Sequence, residues 1–318
     1  MHGAVTEVPP PPAVRLGAWA RAIAGVLILA LLVWQVGTGP FLDGVRLLDR
    51  QALLAALGLG ALSTVACAWR WSLVAEGLGV RLPLGRAVKA YYRSLFLNTT
   101  LPGGVVGDVH RAVRHGLDIS DVRLAVRAVV LERTIGLTVQ ITASLLLLLV
   151  LPSPVRDRMP LVVAAVAATG LAVALALRAL ARGRTARWAA ALRTAYTDVR
   201  EVLVTRRRWV GIGLASAVVV TGQLVMFVIA ARTAGAHAPV TLLVPLTQLA
   251  LLAMALPLNV AGWGPREGVA AWAFAAAGMT STQGVAAAVT YGVLGLVAAL
   301  PGAAVLLART KSRSGQHA

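Results

Sequence analysis

Two stretches of this sequence collect the residues that could do chemistry. The first reads Asn98-Thr99-Thr100-Leu101-Pro102-Gly103-Gly104-Val105-Val106-Gly107-Asp108-Val109-His110-Arg111. The second reads Leu256-Pro257-Leu258-Asn259-Val260-Ala261-Gly262-Trp263-Gly264-Pro265-Arg266-Glu267-Gly268. Pro and paired Gly interrupt a helix and free backbone N–H and C=O groups, which in a bilayer must face protein or a water-filled cavity. A half-helix that starts after Gly104 would aim its free N–H groups and positive dipole end at that cavity, an arrangement that favours an anion such as phosphate. Arg111 and Arg114, about one turn apart, add charge-assisted contacts on the same face. In the second stretch Pro265 suits a first helical turn, Glu267 neutralises or orients Arg266, and Trp263 is placed as an interfacial anchor.

A third point is Glu132-Arg133, followed by eighteen residues without a charge up to the end of the apolar run at 151. Ionisable groups at membrane depth usually face the bundle interior and pair or line a pathway. The expected headgroup-binding set is therefore Asn98, Pro102, Gly103, Gly104, Gly107, Asp108, Arg111, Glu132, Arg133, Asn259, Gly262, Gly264, Arg266 and Glu267. A structural reading stands beside it. The glycines let helices approach closely, Arg111 snorkels to the interface, and Glu132 holds Arg111 or Arg127 as an ion pair. Gln140, Gln223 and Gln248 read as interhelical glue. No catalytic or metal residue is expected. The five histidines (His2, His110, His115, His237 and His317) are scattered, His110 and Asp108 would diverge on a helix, and Cys67 has no partner for a disulfide or cluster.

The elements that must position these residues follow from composition. The chain has 318 residues, 58% of them hydrophobic and 13% charged, with mean hydropathy +0.79. A water-soluble domain is excluded, because such domains run about 25% charged. A net charge of +18 then points to loops touching anionic headgroups, and nucleic acid is not an expected partner. Apolar runs near the length a bilayer demands predict spans at 18–36, 51–75, 126–151, 160–180, 209–231 and 281–308. The stretches at 94–107 and 240–264 read as re-entrant or discontinuous helices. A secretory signal over the first span is the alternative there, set against a proline-rich start and a long apolar core. The expected fold is all-α and integral to the membrane, with six spans plus two broken segments.

Lys and Arg concentrate on the cytoplasmic side. The segment from Arg178 to Arg208 holds nine arginines against Asp198 and Glu201, and the tail holds Arg309, Lys311 and Arg313 without an acid. Both termini are therefore expected inside. This gives a tail at 1–17, one membrane domain at 18–308 with an Arg-rich linker at 181–208, and a second tail at 309–318. An offset of 155 residues lays Pro102 on Pro257, Gly107 on Gly262 and Arg111 on Arg266. The halves, about 18–151 and 160–308, then run in opposite directions as inverted repeats, a recurrent transporter arrangement with the substrate site near the midplane.

The motifs at 98–111, 132–137 (E-R-T-I-G-L) and 257–268 together resemble the flippase-like membrane family typified by the transmembrane region of lysylphosphatidylglycerol synthase. The resemblance covers essentially the whole chain after the first span. Synthase members join this region to a soluble aminoacyl-transferase domain. Here the sequence runs to Ala318 without one, so the membrane unit alone is expected. Val106 replaces the second glycine of the family's usual pair before the aspartate, and Asn259-Val260-Ala261 replace its small residues. The resemblance implies a bacterial or archaeal inner-membrane protein that moves or binds an anionic, phosphate-headgroup lipid such as a phospholipid or polyprenyl phosphate, without a cofactor. Two rivals remain open. One is a membrane-embedded transferase or hydrolase with Glu132 or Asp108 as base. The other is a non-transporting partner that recruits a cytoplasmic enzyme through segment 178–208.

Overall fold

The computed structural model describes residues 48–101, 104–183, 186–254 and 264–314, and no strand occurs among them. Ten helices follow in order: α1 (Arg50–Gly77), α2 (Leu84–Thr100), α3 (Val106–Asp118), α4 (Val122–Val150), α5 (Met159–Gly183), α6 (Ala186–Leu203), α7 (Arg206–Thr233), α8 (Val240–Ala253), α9 (Pro265–Ala276) and α10 (Ser281–Ser314). A 3-10 turn, Arg156–Arg158, leads into α5.

Local chemistry sets many of these ends. The Asp49 carboxylate accepts from the Ala52 N–H at 2.7 Å, and Asp121 accepts from Leu124 N–H at 2.9 Å, so α1 and α4 both start on an aspartate cap. The turns after α1 and α7 pass through Gly79 (φ +83°) and Gly235 (φ +79°), in the left-handed region that glycine enters without a Cβ penalty. Pro83 and Pro239 then cap α2 and α8.

Five segments are long and apolar enough to cross a membrane: Arg50–Gly77, Val122–Val150, Arg156–Ala176, Arg206–Thr233 and Ser281–Leu307. They coincide with five of the spans expected from hydropathy, and the sixth, at 18–36, lies outside the described residues. The chain is thus an all-α protein of the multi-pass membrane class. The first broken stretch becomes the end of α2 and the start of α3, with residues 102–103 between them not described. The second becomes α8 and α9, separated by residues 255–263, which are not described. The expected linker at 181–208 contains a helix, α6, whose Val202 is buried against Leu73, Val74 and Ile212.

Small residues set how closely the long helices pack. A Cβ built on Gly77 would meet Val202 and Arg208, one on Gly211 would meet Leu73 and Trp69, and one on Gly222 would meet Ser63. Rising numbers on α7 therefore face falling numbers on α1, and the two helices pack antiparallel. Helix α2 packs on α10 and α8 on α4, while α3 lies against α4 and α9 against α10. The larger core joins α1, α7, α8, α9 and α10, where Phe227 stacks on Tyr291 with ring centroids 4.7 Å apart. A smaller one gathers Ala68, Trp71, Ala87, Tyr91, Ala112 and Val129 from α1 to α4.

Candidate functional site

The first broken stretch folds so that its side chains close on one another. Asn98, near the end of α2, accepts from the Gly107 N–H at 2.7 Å through Oδ1. Its Nδ2 donates to Asp108 at 3.2 Å, and Ser94 Oγ donates to the same carboxylate at 3.0 Å. Gly107 is required there, because a Cβ would fall 2.0 Å from the Ser94 carbonyl oxygen. The positive end of α3 is thus occupied by Asn98 and by the chain's own Asp108, third residue of that helix. The Gly107 amide, one of those expected to face an anion, is engaged by Asn98.

Behind that turn lies a buried charge cluster. Glu132 is fully buried and accepts from Arg70 Nη2 at 2.6 Å, Arg70 Nε at 3.0 Å, Arg111 Nη2 at 3.1 Å and the Tyr91 hydroxyl at 3.3 Å. Arg111 also donates to Asp108 at 3.0 Å, and its guanidinium lies between the rings of Trp71 (4.5 Å) and Tyr91 (4.2 Å). Arg133 reaches Asp108 at 2.5 Å, and Arg70 donates on to Ser216 Oγ at 3.1 Å. Buried charges persist only when paired and hydrogen-bonded, and this cluster meets that requirement. Three guanidinium groups against two carboxylates leave one net positive charge.

A cavity of about 720 Å3 adjoins the cluster. Arg70, Tyr91, Asp108 and Arg133 give it a charged end, and Val109, Val113, Val126 and Val130 give it an apolar wall. Those four valines are exposed among the described residues, so the cavity is open along α3 and α4. Arg133, with its side chain 48% exposed, is the most accessible cation of the cluster. An anionic group attached to hydrocarbon fits both halves of such a cavity.

The structure brings Asn98, Gly104, Gly107, Asp108, Arg111, Glu132 and Arg133 together, but their positions differ from one another. Asp108, Arg133 and Gly104 line the cavity, whereas Arg111 and Glu132 support it from behind, and Arg114 does not line it. Pro102, Gly103, Asn259 and Gly262 lie outside the described residues. Gly264, Arg266 and Glu267 form a separate cluster at the start of α9. There Glu267 accepts from the Gly264 N–H at 2.7 Å and from Arg266 Nε at 2.9 Å, and the Arg266 guanidinium lies 5.4 Å from the Tyr291 ring. Gly264 adopts φ +117° to make that turn. None of the three lines the cavity. Counted from their helix starts, Asp108 and Glu267 are both third residues, while Arg111 is sixth and Arg266 second, so the offset of 155 does not superpose the two arginines.

Arg70, Tyr91, Ser94 and Ser216 were not expected at the site. Arg70 carried a signal, being the one charged residue in the apolar run 51–75. The serines and Tyr91 carried none. Arg127 pairs with Asp198 on α6 at 2.7 Å and not with Glu132. Gln248 does join helices, donating to Ser144 at 2.6 Å, whereas Gln140 and Gln223 line the cavity. Among the described residues no group of three His, Cys, Asp or Glu side chains could hold a metal ion.

Comparison with known proteins adds one match. The comparison with curated proteins returned none. The sequence profile described as Lysylphosphatidylglycerol synthase TM region matches residues 18–302. With nearly its whole length matched, and with five helices long and apolar enough to cross a membrane, the chain belongs to the lysylphosphatidylglycerol synthase TM-region family, a membrane family linked to lipid handling.

Proposed function

We propose that this protein moves a lipid with an anionic, phosphate-bearing headgroup across the bacterial or archaeal cytoplasmic membrane, as a transporter and not an enzyme. One observation carries the reading. A single cavity joins an end lined by Arg70 and Arg133, beside a cluster of net charge +1, to an opening walled by exposed valines. The headgroup phosphate engages the guanidinium groups, which hold two oxygens at once, while the hydrocarbon tail stays in the bilayer.

Movement comes from two inverted repeats, α1–α4 and α7–α10, rocking about the midplane. Several features support this. Each half runs long, short, short, long: 28, 17, 13 and 29 residues, then 28, 14, 12 and 34. Gly79 and Gly235 end corresponding turns, and Pro83 and Pro239 cap corresponding helices. The packing of α2 on α10 has its counterpart in α8 on α4. Because α1 and α7 are antiparallel, a two-fold axis exchanging them is perpendicular to both and so lies in the membrane plane. The short helices α2–α3 and α8–α9 are the re-entrant segments, and both termini are cytoplasmic.

The test is reconstitution into liposomes carrying fluorescent phosphatidate or phosphatidylglycerol, with dithionite added outside. Translocation exposes more than the outer-leaflet half of the label to quenching, and Arg133→Gln slows it. Quenching that stops at the outer leaflet for every anionic lipid tried refutes the proposal.

A further inference from the structure

Beyond its charged end, the cavity carries a second polar feature that the cluster does not use. Gln140 stands seven residues along α4 from Arg133, and Gln223 seven residues along α7 from Ser216, and all four line the same cavity. Seven residues rise about 10 Å, so the amides lie two helical turns from the charges. The wall between them includes Gly136, Leu137, Val219 and Val220. Gln140 Nε2 is buried and has no hydrogen-bond partner among the described residues. A buried amide donor left unpaired is costly, and Gln248, by contrast, spends its Nε2 on Ser144. The unpaired donor thus sits on a cavity-lining side chain, at a fixed remove from the cations.

We propose that Gln140 is a second recognition point for the cargo, donating to an ester carbonyl of a diacyl phospholipid whose phosphate lies against Arg70 and Arg133. This rests on the anionic-lipid reading above and narrows it. A phosphate, a glycerol unit and its ester groups follow one another on the scale of the separation between the two polar features. A polyprenyl phosphate offers only hydrocarbon at that depth, and a dialkyl ether phospholipid offers only a weakly accepting ether oxygen.

The experiment titrates the purified, detergent-solubilised protein with diacyl phosphatidate, its dialkyl ether counterpart and a polyprenyl phosphate, reading bound lipid by native mass spectrometry. The parent protein should bind the diacyl lipid about five- to tenfold more tightly than either of the others, the worth of one neutral hydrogen bond. Gln140→Leu, which keeps the bulk and removes the donor, should lose that preference, so that substitution and ether linkage do not add. Equal binding of all three lipids by the parent overturns the proposal without reference to any variant. A diacyl preference that survives in Gln140→Leu also overturns it. The same preference with no movement in liposomes removes translocation and leaves the Gln140 assignment standing, whereas no binding of any anionic lipid removes both.

Discussion

Replacing Glu132 by Gln keeps the shape of the side chain and deletes the charge on which two buried arginines depend. The Arg70 side chain is 6% exposed, and those of Arg111 and Glu132 are fully buried. Little of the loss can be recovered by hydration. Removing one partner of a buried pair costs about 3–5 kcal/mol. At roughly 2–4 °C per kcal/mol for a chain of this order of size, Glu132→Gln should lower the melting temperature by roughly 6–20 °C. Tyr91→Phe sets the scale from below, since it removes a single hydrogen bond to the charged carboxylate, worth about 1.5–3 kcal/mol, and leaves both arginines paired. The substitution also raises the cluster from one net positive charge to two, so a short-chain phosphatidate should bind the folded variant more tightly and raise its melting temperature more than the parent's. Tryptophan fluorescence during heating in detergent, with and without that lipid, reads both effects. A Glu132→Gln variant that melts with the parent refutes the view that this carboxylate holds the site together.

Three further outcomes are expected. Gly107→Ala drives a Cβ to 2.0 Å from the Ser94 carbonyl oxygen; overpacking of this kind costs about 1–3 kcal/mol, so expression and melting temperature should fall, whereas Gly58→Ala, with nothing within 4 Å of its Cβ, should be tolerated in the same assays. Arg133→Gln leaves the Arg70–Glu132–Arg111 core paired and should change melting little, while lowering phosphatidate binding about tenfold, the worth of one charge-assisted contact; unchanged binding in a lipid titration would show that this arginine does not meet the cargo. A cysteine at exposed Thr205, in a Cys67→Ser background, should resist an impermeant thiol reagent applied to intact cells if the Lys/Arg bias orients the chain as proposed; modification from outside would reverse the orientation.

The sequence by itself determined that the chain belongs in a bilayer and where most of its helices run. Hydropathy and helix length are local quantities, so the runs at 51–75, 126–151, 209–231 and 281–308 needed no knowledge of their neighbours. Pro102 with Gly103 and Gly104, and Pro265 after Gly264, likewise announced where α2 ends and where α3 and α9 begin. Charge at depth singled out Glu132 and Arg133, since a charge in an apolar run demands a partner, and the Pro/Gly break singled out Asp108 and Arg111 beside it. Which partner, and which side chain faces the cavity, only the tertiary structure decided. Arg70 lies 62 residues from Glu132 and 146 from Ser216, yet bonds both, and no local pattern encodes such pairings. Folding turned Arg111 inward between Trp71 and Tyr91, left Arg133 half exposed at the cavity, and gave the positive end of α3 to Asn98 and Asp108. The two arginines that the repeat seemed to superpose were separated because a helix register is counted from where its first turn closes, and packing set that turn at Val106 in one half and Pro265 in the other.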